Sequence, residues 1–110
     1  MRSLLMLESR PTAVFCVNDV IAIGALKACV AGRVKVPIDM SIIGCDDIEL
    51  AQLVSPELTT VKVPAGELGA RAARILIRAI EGEKEKKNSR VLPVSLVKRG
   101  TTAPPPAETT

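Results

Sequence analysis

Four short stretches of the chain have the apolar or β-branched character of strands. Residues 12–17 and 40–44 are mostly continuous apolar runs between polar or proline-containing segments, which is typical of buried strands. Residues 59–63 are rich in β-branched side chains. Residues 90–99 contain two apolar stretches interrupted at Pro93 and predict a last extended segment. The chain is therefore expected to build a sheet from these segments.

Helical patterns connect the strand-like stretches. The segment of about 19–31 is apolar on nearly every side, so it needs cover from more than one neighbour, and Gly32 after it favours a left-handed C-cap. Residues 49–54 are compatible with a single helical turn. From 65 to 81 apolar positions recur at intervals of three and four, and Gly82 ends this amphipathic helix. The first strand, the first helix and the second strand together predict a right-handed parallel crossover.

The amino-acid composition agrees with helices packed on parallel strands. Apolar residues make up 47% of the 110 residues, and Phe15 is the single aromatic residue. The core must therefore consist of Val, Ile, Leu and Ala, which suits strands that are buried on both faces. The predicted fold class is α/β, with a partial doubly wound parallel sheet. Residues 101–110, which include three consecutive prolines, are expected to form a disordered tail.

Charge and cysteine usage limit the classes of function. The net charge of +3 includes a cluster at 83–87 whose signs alternate, as in a solvated loop, whereas a nucleic-acid-binding surface would need a stripe of one sign. Cys16, Cys29 and Cys45 lie in apolar stretches and are expected to be free thiols in a reducing compartment. The first residues hold too few apolar side chains for a signal-peptide core, and no run reaches membrane-spanning length. These features predict a cytoplasmic protein.

Polar side chains follow both strands of the predicted crossover. Asp46 and Asp47 come after the second strand, and ligands of open α/β sheets bind beyond such strand ends. Because neighbouring side chains diverge in a turn, we expect one carboxylate to face a ligand and the other to cap the turn; the residues alone leave both roles open for each. Asn18 and Asp19 would reach the same edge, where an amide and a carboxylate suit a polyhydroxylated ligand. The alternative is that Asn18 is only a helix N-cap.

Other chemistries find little support in the sequence. The chain has no histidine, no glycine-rich phosphate loop, no Cys-x-x-Cys and no nucleophile elbow around any serine, so an enzyme is not expected. No cofactor and no metal are expected either. The remaining enzymatic alternative is a magnesium or phosphoacceptor site at Asp46 and Asp47, because paired carboxylates can hold a hard cation. That alternative lacks its usual third carboxylate and lysine.

Several segments, in order, resemble the LacI/GalR-family transcriptional regulators. They are PTAVFCVND at 11–19 with AIGAL at 22–26, VPIDMSIIGCDD at 36–47, PELTTV at 56–61, Leu68-Gly69, and LPVSLVKRGTT at 92–102. The resemblance covers about residues 4–102, and ordered motifs at family spacing are more specific than any single motif. It implies a C-terminal part of a periplasmic-binding-protein-like type I sensor domain, which has two α/β subdomains around a cleft. The DNA-binding helix-turn-helix of a complete regulator would lie N-terminal to these residues.

The resemblance also implies a division of the chain and two effector contacts. Residues up to about 61 and 95–100 would belong to the C-terminal subdomain, and 63–94 would cross into the N-terminal subdomain. Asn18 and Asp46 match effector contacts of the family, Asp46 being the aspartate of its Gly-aromatic-Asp motif. Three departures prevent the effector's identity from being carried over: Cys45 stands in place of the aromatic residue, Val63 stands where Gln is frequent, and the upstream cleft residues are absent.

The implied partners follow from the same resemblance. A small effector, a sugar or a nucleoside-like metabolite, would change operator affinity through the N-terminal domain, and the complete regulator would be a homodimer without membrane contact. The positions that match the dimer surface are Val20, Ile23, Lys27, Leu50 and Leu53. Without the resemblance, Val20 and Ile23 could equally be core residues. The alternatives are a solute receptor of a sugar transport system, which would need a signal peptide, and a fragment without activity of its own that tends to associate.

Overall fold

The apolar runs form one mixed four-stranded sheet. The computed structural model describes residues 1–83 and 89–107. The strands, in spatial as in chain order, are β1 (Ala13–Phe15), β2 (Ser41–Asp46), β3 (Thr59–Lys62) and β4 (Ser95–Val97). β1, β2 and β3 run parallel, and β4 runs antiparallel to β3. The α/β class and the parallel crossover are confirmed.

One helix covers the sheet and closes the core. The helices of the described residues are α1 (Arg2–Leu5), α2 (Asp19–Ala31) and α3 (Ala65–Ile80), with a 3₁₀ turn at Glu49–Gln52. α2 connects β1 to β2 and buries one face against the sheet, with Ala22, Ala25 and Cys29 packed in the core. Met40, Ile42 and Leu58 complete that core from the sheet side. Aliphatic side chains and cysteines fill it without an aromatic residue, as the composition predicts.

α3 extends away from this core. Its amphipathic pattern is present as predicted, but none of its residues is buried. The apolar side chains that are most exposed on it are Leu68, Leu76, Ile77 and Ile80. The molecule is correspondingly elongated, with extents of 65 × 28 × 23 Å. The apolar face of α3 therefore lies open in this chain. None of the helices in the described residues has the length and apolar character needed to cross a bilayer.

The C-termini of α2 and α3 end in different backbone conformations. Gly82 has a φ of 85°, so α3 ends at a left-handed glycine as predicted. The prediction for Gly32 is wrong, because its φ is −85° and the left-handed residue is Arg33, with a φ of 55°. The hydrogen bond from Val34 N to Cys29 O closes the motif one residue further along. This shift places the side chain of Val34 in the core.

The C-terminal segment is ordered further than the sequence predicts. Thr101 is completely buried; its hydroxyl donates to Ile42 O at 2.6 Å and accepts from Thr59 N at 2.9 Å. Ala103 N then donates to Ser41 Oγ at 3.0 Å. The expectation of disorder from residue 101 is therefore wrong for 101–103, because these residues continue the hydrogen bonding of β2. Residues 84–87 of the predicted charged loop and 108–110 of the tail lie outside the described residues.

Candidate functional site

The carboxyl ends of three parallel strands meet at one edge of the sheet. Asn18 lies just after β1, Asp46 ends β2 and Lys62 ends β3. Asp46 and Lys62 are direct partners in the β2–β3 register. The parallel pairing of β1 with β2 brings the two predicted ligand residues, Asn18 and Asp46, to adjacent strand ends. Ligands of open α/β sheets bind at this edge.

Asn18 is the N-cap of α2. Its backbone is extended, with a φ of −152°, and its side-chain Oδ1 accepts a hydrogen bond from Ile21 N at 2.9 Å. This is the usual geometry of an N-cap, so the capping interpretation is confirmed. The cap uses the side-chain oxygen, and the NH2 group of the half-buried amide is a donor that is not part of the cap. Contact between Asn18 and a ligand stays a prediction.

Asp46 and Asp47 have different surroundings. The Asp46 side chain is exposed, whereas the Asp47 side chain is only 9% exposed and accepts from Arg99 Nη2 at 2.7 Å. Lys62 Nζ lies 3.7 Å from the other Asp47 oxygen. Asp47 is therefore held inside the protein, whereas Asp46 offers its carboxylate to solvent at this edge. Its pairing with Arg99 and Lys62 leaves the Asp47 carboxylate poorly suited to the magnesium alternative.

The turn after β2 is strained. Asp46 has a φ of 113° and Asp47 a φ of 57°, both in the region that L-residues rarely adopt. Such residues cost on the order of 1–3 kcal/mol each and persist only where the surrounding contacts determine them. Because the backbone conformation of Asp46 is costly and is nevertheless held, it supports a functional role for the Asp46 carboxylate.

Asp19 is a site residue whose role the sequence does not reveal. It is completely buried at the start of α2 and accepts two hydrogen bonds, from Thr60 Oγ1 at 2.5 Å and from Ile48 N at 2.9 Å. Thr60 Oγ1 lies 3.4 Å from Asp47 N, which donates to it. One buried carboxylate thus joins α2, β3 and the turn that carries Asp46. The partners are 41 and 29 residues away in the chain, so no local spacing marks them.

The backbone of β2 approaches Asp19 so closely that position 44 has room only for glycine. A Cβ at Gly44 would overlap the Asp19 carboxylate, and Leu58 Cδ2 and Asp19 Cα would lie 3.1 and 3.2 Å from it. The glycine of the family's Gly-aromatic-Asp motif is therefore explained here by packing against a buried acid.

Arg99 connects the same turn to the neighbouring strands. Its guanidinium donates through Nη1 to Leu58 O at 2.9 Å as well as through Nη2 to Asp47. Its backbone N donates to Thr59 Oγ1 at 2.9 Å. The side chain is only 11% exposed, so this ion pair is shielded from solvent. Arg99 follows β4, and it therefore links the end of that strand to the turn at Asp46–Ile48.

Cys45 stands beside the exposed carboxylate. Burial raises the pKa of this thiol, and the negative charges of Asp46 and then Asp19 raise it further. The thiol is only partly buried, whereas Cys16 and Cys29 are buried. All three cysteines are free, as predicted. Cys45 is thus a neutral, accessible group next to Asp46.

The residues matched to a dimer surface are mostly exposed apolar side chains. Val20 and Leu53 are 66% and 72% exposed, Leu50 and Lys27 are also exposed, and Ile23 is half-buried. A groove of about 360 Å³ beside them is lined by Ile23, Lys27 and Val54, among others. The core interpretation is therefore wrong for Val20, and Ile23 packs only partly against the core. Their role in dimerisation stays a prediction.

Comparison with known proteins identifies the family. The family model described as a periplasmic binding protein-like domain matches residues 1–102. The chain belongs to this family. Its similar relatives are regulators of the LacI family, so the resemblance seen in the sequence is confirmed. The match to residue 102 also includes the buried Thr101.

Three similar proteins show what share of their length the chain spans. It is 43% identical over 102 residues to the HTH-type transcriptional repressor CytR of Escherichia coli, and covers 30% of that protein with 93% of its own length. It is 45% identical over 98 residues to the ribose operon repressor of Haemophilus influenzae, again covering 30% of it with 89% of its own length. The solved structure of a LacI family transcriptional regulator from Enterococcus faecalis with bound ribose superposes with a TM-score of 0.84 at 37% identity, covering 93% of this chain and 38% of that one. The chain thus spans about a third of the proteins that it matches.

Proposed function

We propose that this chain is part of the effector-sensing domain of a LacI-family transcriptional regulator. The observation that carries the proposal is the exposed Asp46 carboxylate, held in a strained turn at the ligand-binding edge of a parallel sheet. The similar structure from Enterococcus faecalis was solved with ribose bound. The proposed effector is a small polyhydroxylated molecule, a sugar or a nucleoside-like metabolite.

The chemistry of the edge fits such an effector. An ionised carboxylate can accept hydrogen bonds from two neighbouring hydroxyls, and Asp46, unlike Asp19 and Asp47, is not committed to a buried contact. The Asn18 NH2 group supplies a donor beside it, because its oxygen caps α2. The half-buried Val63 gives the edge a less polar wall than a glutamine would, and Cys45 has a smaller side chain than an aromatic residue. Binding at this edge requires no metal or cofactor.

The whole regulator would couple this edge to DNA. In our proposal residues 1–61 and 95–100 form part of the C-terminal subdomain, and 63–94 cross to the N-terminal subdomain. The open apolar face of α3 supports this division, because that face needs a partner that the described residues do not supply. The exposed apolar side chains of Val20, Leu50 and Leu53 would join two subunits. Operator DNA would bind through a separate helix-turn-helix, in the cytoplasm, and the coupling between effector and DNA would be reciprocal.

A regulator is favoured over a transport receptor or an enzyme. The relatives named above are a transcriptional repressor, an operon repressor and a transcriptional regulator. Asp47, the second carboxylate that a metal-dependent enzyme would use, is held by Arg99. We therefore propose binding rather than catalysis as the activity of this domain.

The proposal is tested in a complete regulator that carries this chain. Asp46→Ala should abolish the response of operator binding to D-ribose or to a ribonucleoside, because it removes the acceptor, while operator affinity without effector stays unchanged. Fluorescence anisotropy with labelled operator DNA measures both quantities. Glu57→Gln, which neutralises an exposed acid away from this edge, is the matched control. An unaltered effector dose response in Asp46→Ala would refute the assignment.

A further inference from the structure

We propose that Asp19 and Thr60 are positioning residues for the Asp46 carboxylate. The inference deepens the proposed function and rests on it for its purpose, since Asp46 is the proposed effector contact. It starts from the strained turn: two successive residues, Asp46 and Asp47, have positive φ values, of 113° and 57°. Neither residue is a glycine, so local preference alone does not produce this backbone.

The contacts that hold the turn converge on one buried pair. Asp19 Oδ2 accepts from Ile48 N at 2.9 Å, directly after the strained residues. Thr60 Oγ1 accepts from Asp47 N at 3.4 Å and donates to Asp19 Oδ1 at 2.5 Å. The amides of two consecutive turn residues are therefore fixed by the Asp19–Thr60 pair, from the side opposite to solvent. Strained backbone persists only where such contacts determine it.

Position 44 limits the freedom of the same pair. Because a Cβ at Gly44 would overlap the Asp19 carboxylate, the acid lies directly on the backbone of β2. Asp19 and Thr60 are both completely buried, so water does not replace their mutual hydrogen bond. Neither side chain reaches solvent at the ligand edge. Their effect on a ligand must therefore act through the position of Asp46.

Cys45 provides a direct measure of that position. Its thiol is partly buried beside Asp46, and burial and the Asp46 charge raise its pKa. The charged groups that act on this thiol are Asp46 and Asp19. If the turn loosens, the thiol becomes more exposed and Asp46 moves away, so its pKa falls and more thiolate forms at a given pH. The rate of alkylation reports the thiolate fraction and the accessibility of the cysteine.

The experiment compares two threonine-to-valine changes in this chain. Thr60→Val removes the hydroxyl that links Asp19 to Asp47 without changing the size of the side chain. Thr101→Val is the matched control, since Thr101 is also completely buried and its hydroxyl also donates one hydrogen bond and accepts another, at Ile42 and Thr59. Iodoacetamide labelling at pH 8, followed by peptide mass spectrometry, gives the rate for each cysteine. Thermal melting by circular dichroism records the loss of stability.

We expect Thr60→Val to speed the alkylation of Cys45 by roughly threefold or more, because a lower thiol pKa and a more exposed sulfur both increase the rate. Asp46→Ala calibrates the rate that is expected when the carboxylate is gone. Thr60→Ser should restore the wild-type rate, because it keeps the hydroxyl. Thr101→Val should lower the melting temperature but leave the Cys45 rate unchanged.

Two results would overturn the proposal. The first is an unchanged Cys45 rate in Thr60→Val together with a lowered melting temperature, which would mean that Thr60 contributes stability alone. The second is alkylation of Cys45 as fast in Thr60→Ser as in Thr60→Val, which would mean that the Thr60 hydroxyl does not determine the rate. These rates involve no effector, so they decide the positioning of Asp46 even where the proposed function fails.

Discussion

Replacing Gly44 by alanine tests the close contact between β2 and the buried Asp19. The added methyl group would overlap the Asp19 carboxylate, and it would also lie 3.1 Å from Leu58 Cδ2 and 3.2 Å from Asp19 Cα. Overpacking of a core costs about 1–3 kcal/mol, and a displaced Asp19 that loses one buried hydrogen bond adds about 1–3 kcal/mol. The expected loss of unfolding free energy is therefore roughly 2–6 kcal/mol. This is a large share of the about 5–15 kcal/mol that stabilises a typical domain.

Urea denaturation followed by circular dichroism at 222 nm measures the effect. Gly24→Ala is the matched control, because Gly24 lies within α2 and a Cβ there would meet nothing within 4 Å. In a helix interior alanine is more favourable than glycine by about 0.5–1 kcal/mol, so the same substitution should stabilise the protein at this position. A Gly44→Ala variant whose stability stays within about 1 kcal/mol of wild type would refute the geometry, since overpacking alone costs that much.

Three further predictions follow from the shielded ion pair, the buried thiols and the open apolar faces. Arg99→Met should lower the free energy of unfolding by about 3 kcal/mol in urea denaturation, because it leaves the buried Asp47 carboxylate without its 2.7 Å partner. Lys98→Met, at the exposed neighbouring position, should change the stability little. Equal effects of the two substitutions would contradict the role of the ion pair. Burial raises the pKa of Cys16 and Cys29, so the folded chain keeps protons that the unfolded chain releases, and stability should fall above about pH 9. The double variant Cys16→Ala with Cys29→Ala should flatten this pH dependence in thermal melts from pH 7 to 10. An unchanged slope of stability against pH would contradict the role of the two thiols. The exposed apolar residues of α2 and α3 should make the chain self-associate. The double variant Ile77→Glu with Ile80→Glu should reduce this self-association in sedimentation equilibrium. A wild-type chain that is monomeric at every concentration would disprove the prediction.

Local signals predicted the elements of the fold well. α2 spans Asp19–Ala31 as its apolar pattern indicated, because Asn18 is a cap whose hydrogen bond spans only three residues. The parallel crossover also follows from local lengths, since a strand, a helix and a strand in succession have one favoured hand. The C-terminus of α2 shifted by one residue because burial of Val34, a tertiary contact, outweighs the preference of Gly32 for a left-handed backbone. The start of α2 was therefore more predictable than its end.

Long-range contacts decided what the sequence left open. The roles of Asp46 and Asp47 could not be distinguished from their spacing, because the partner that buries Asp47 is Arg99, 52 residues later. Asp19 was expected to reach the ligand edge, but Thr60, 41 residues away, holds its carboxylate inside. The disorder expected from residue 101 failed for the same reason, since the hydroxyl of Thr101 bonds to a strand 59 residues earlier.

The three acids at this sheet edge have different roles because their surroundings differ, not because their chemistry does. Asp19 and Asp47 each face donors that are already part of the fold, and withdrawing either from its donors would leave an unpaired buried charge. A ligand could therefore not recruit them without unfolding the turn. Asp46 lacks such a commitment to the interior, and its backbone is held in a rarely adopted conformation by the contacts of its neighbours. The acids that the interior holds thus determine where the Asp46 carboxylate can accept hydrogen bonds.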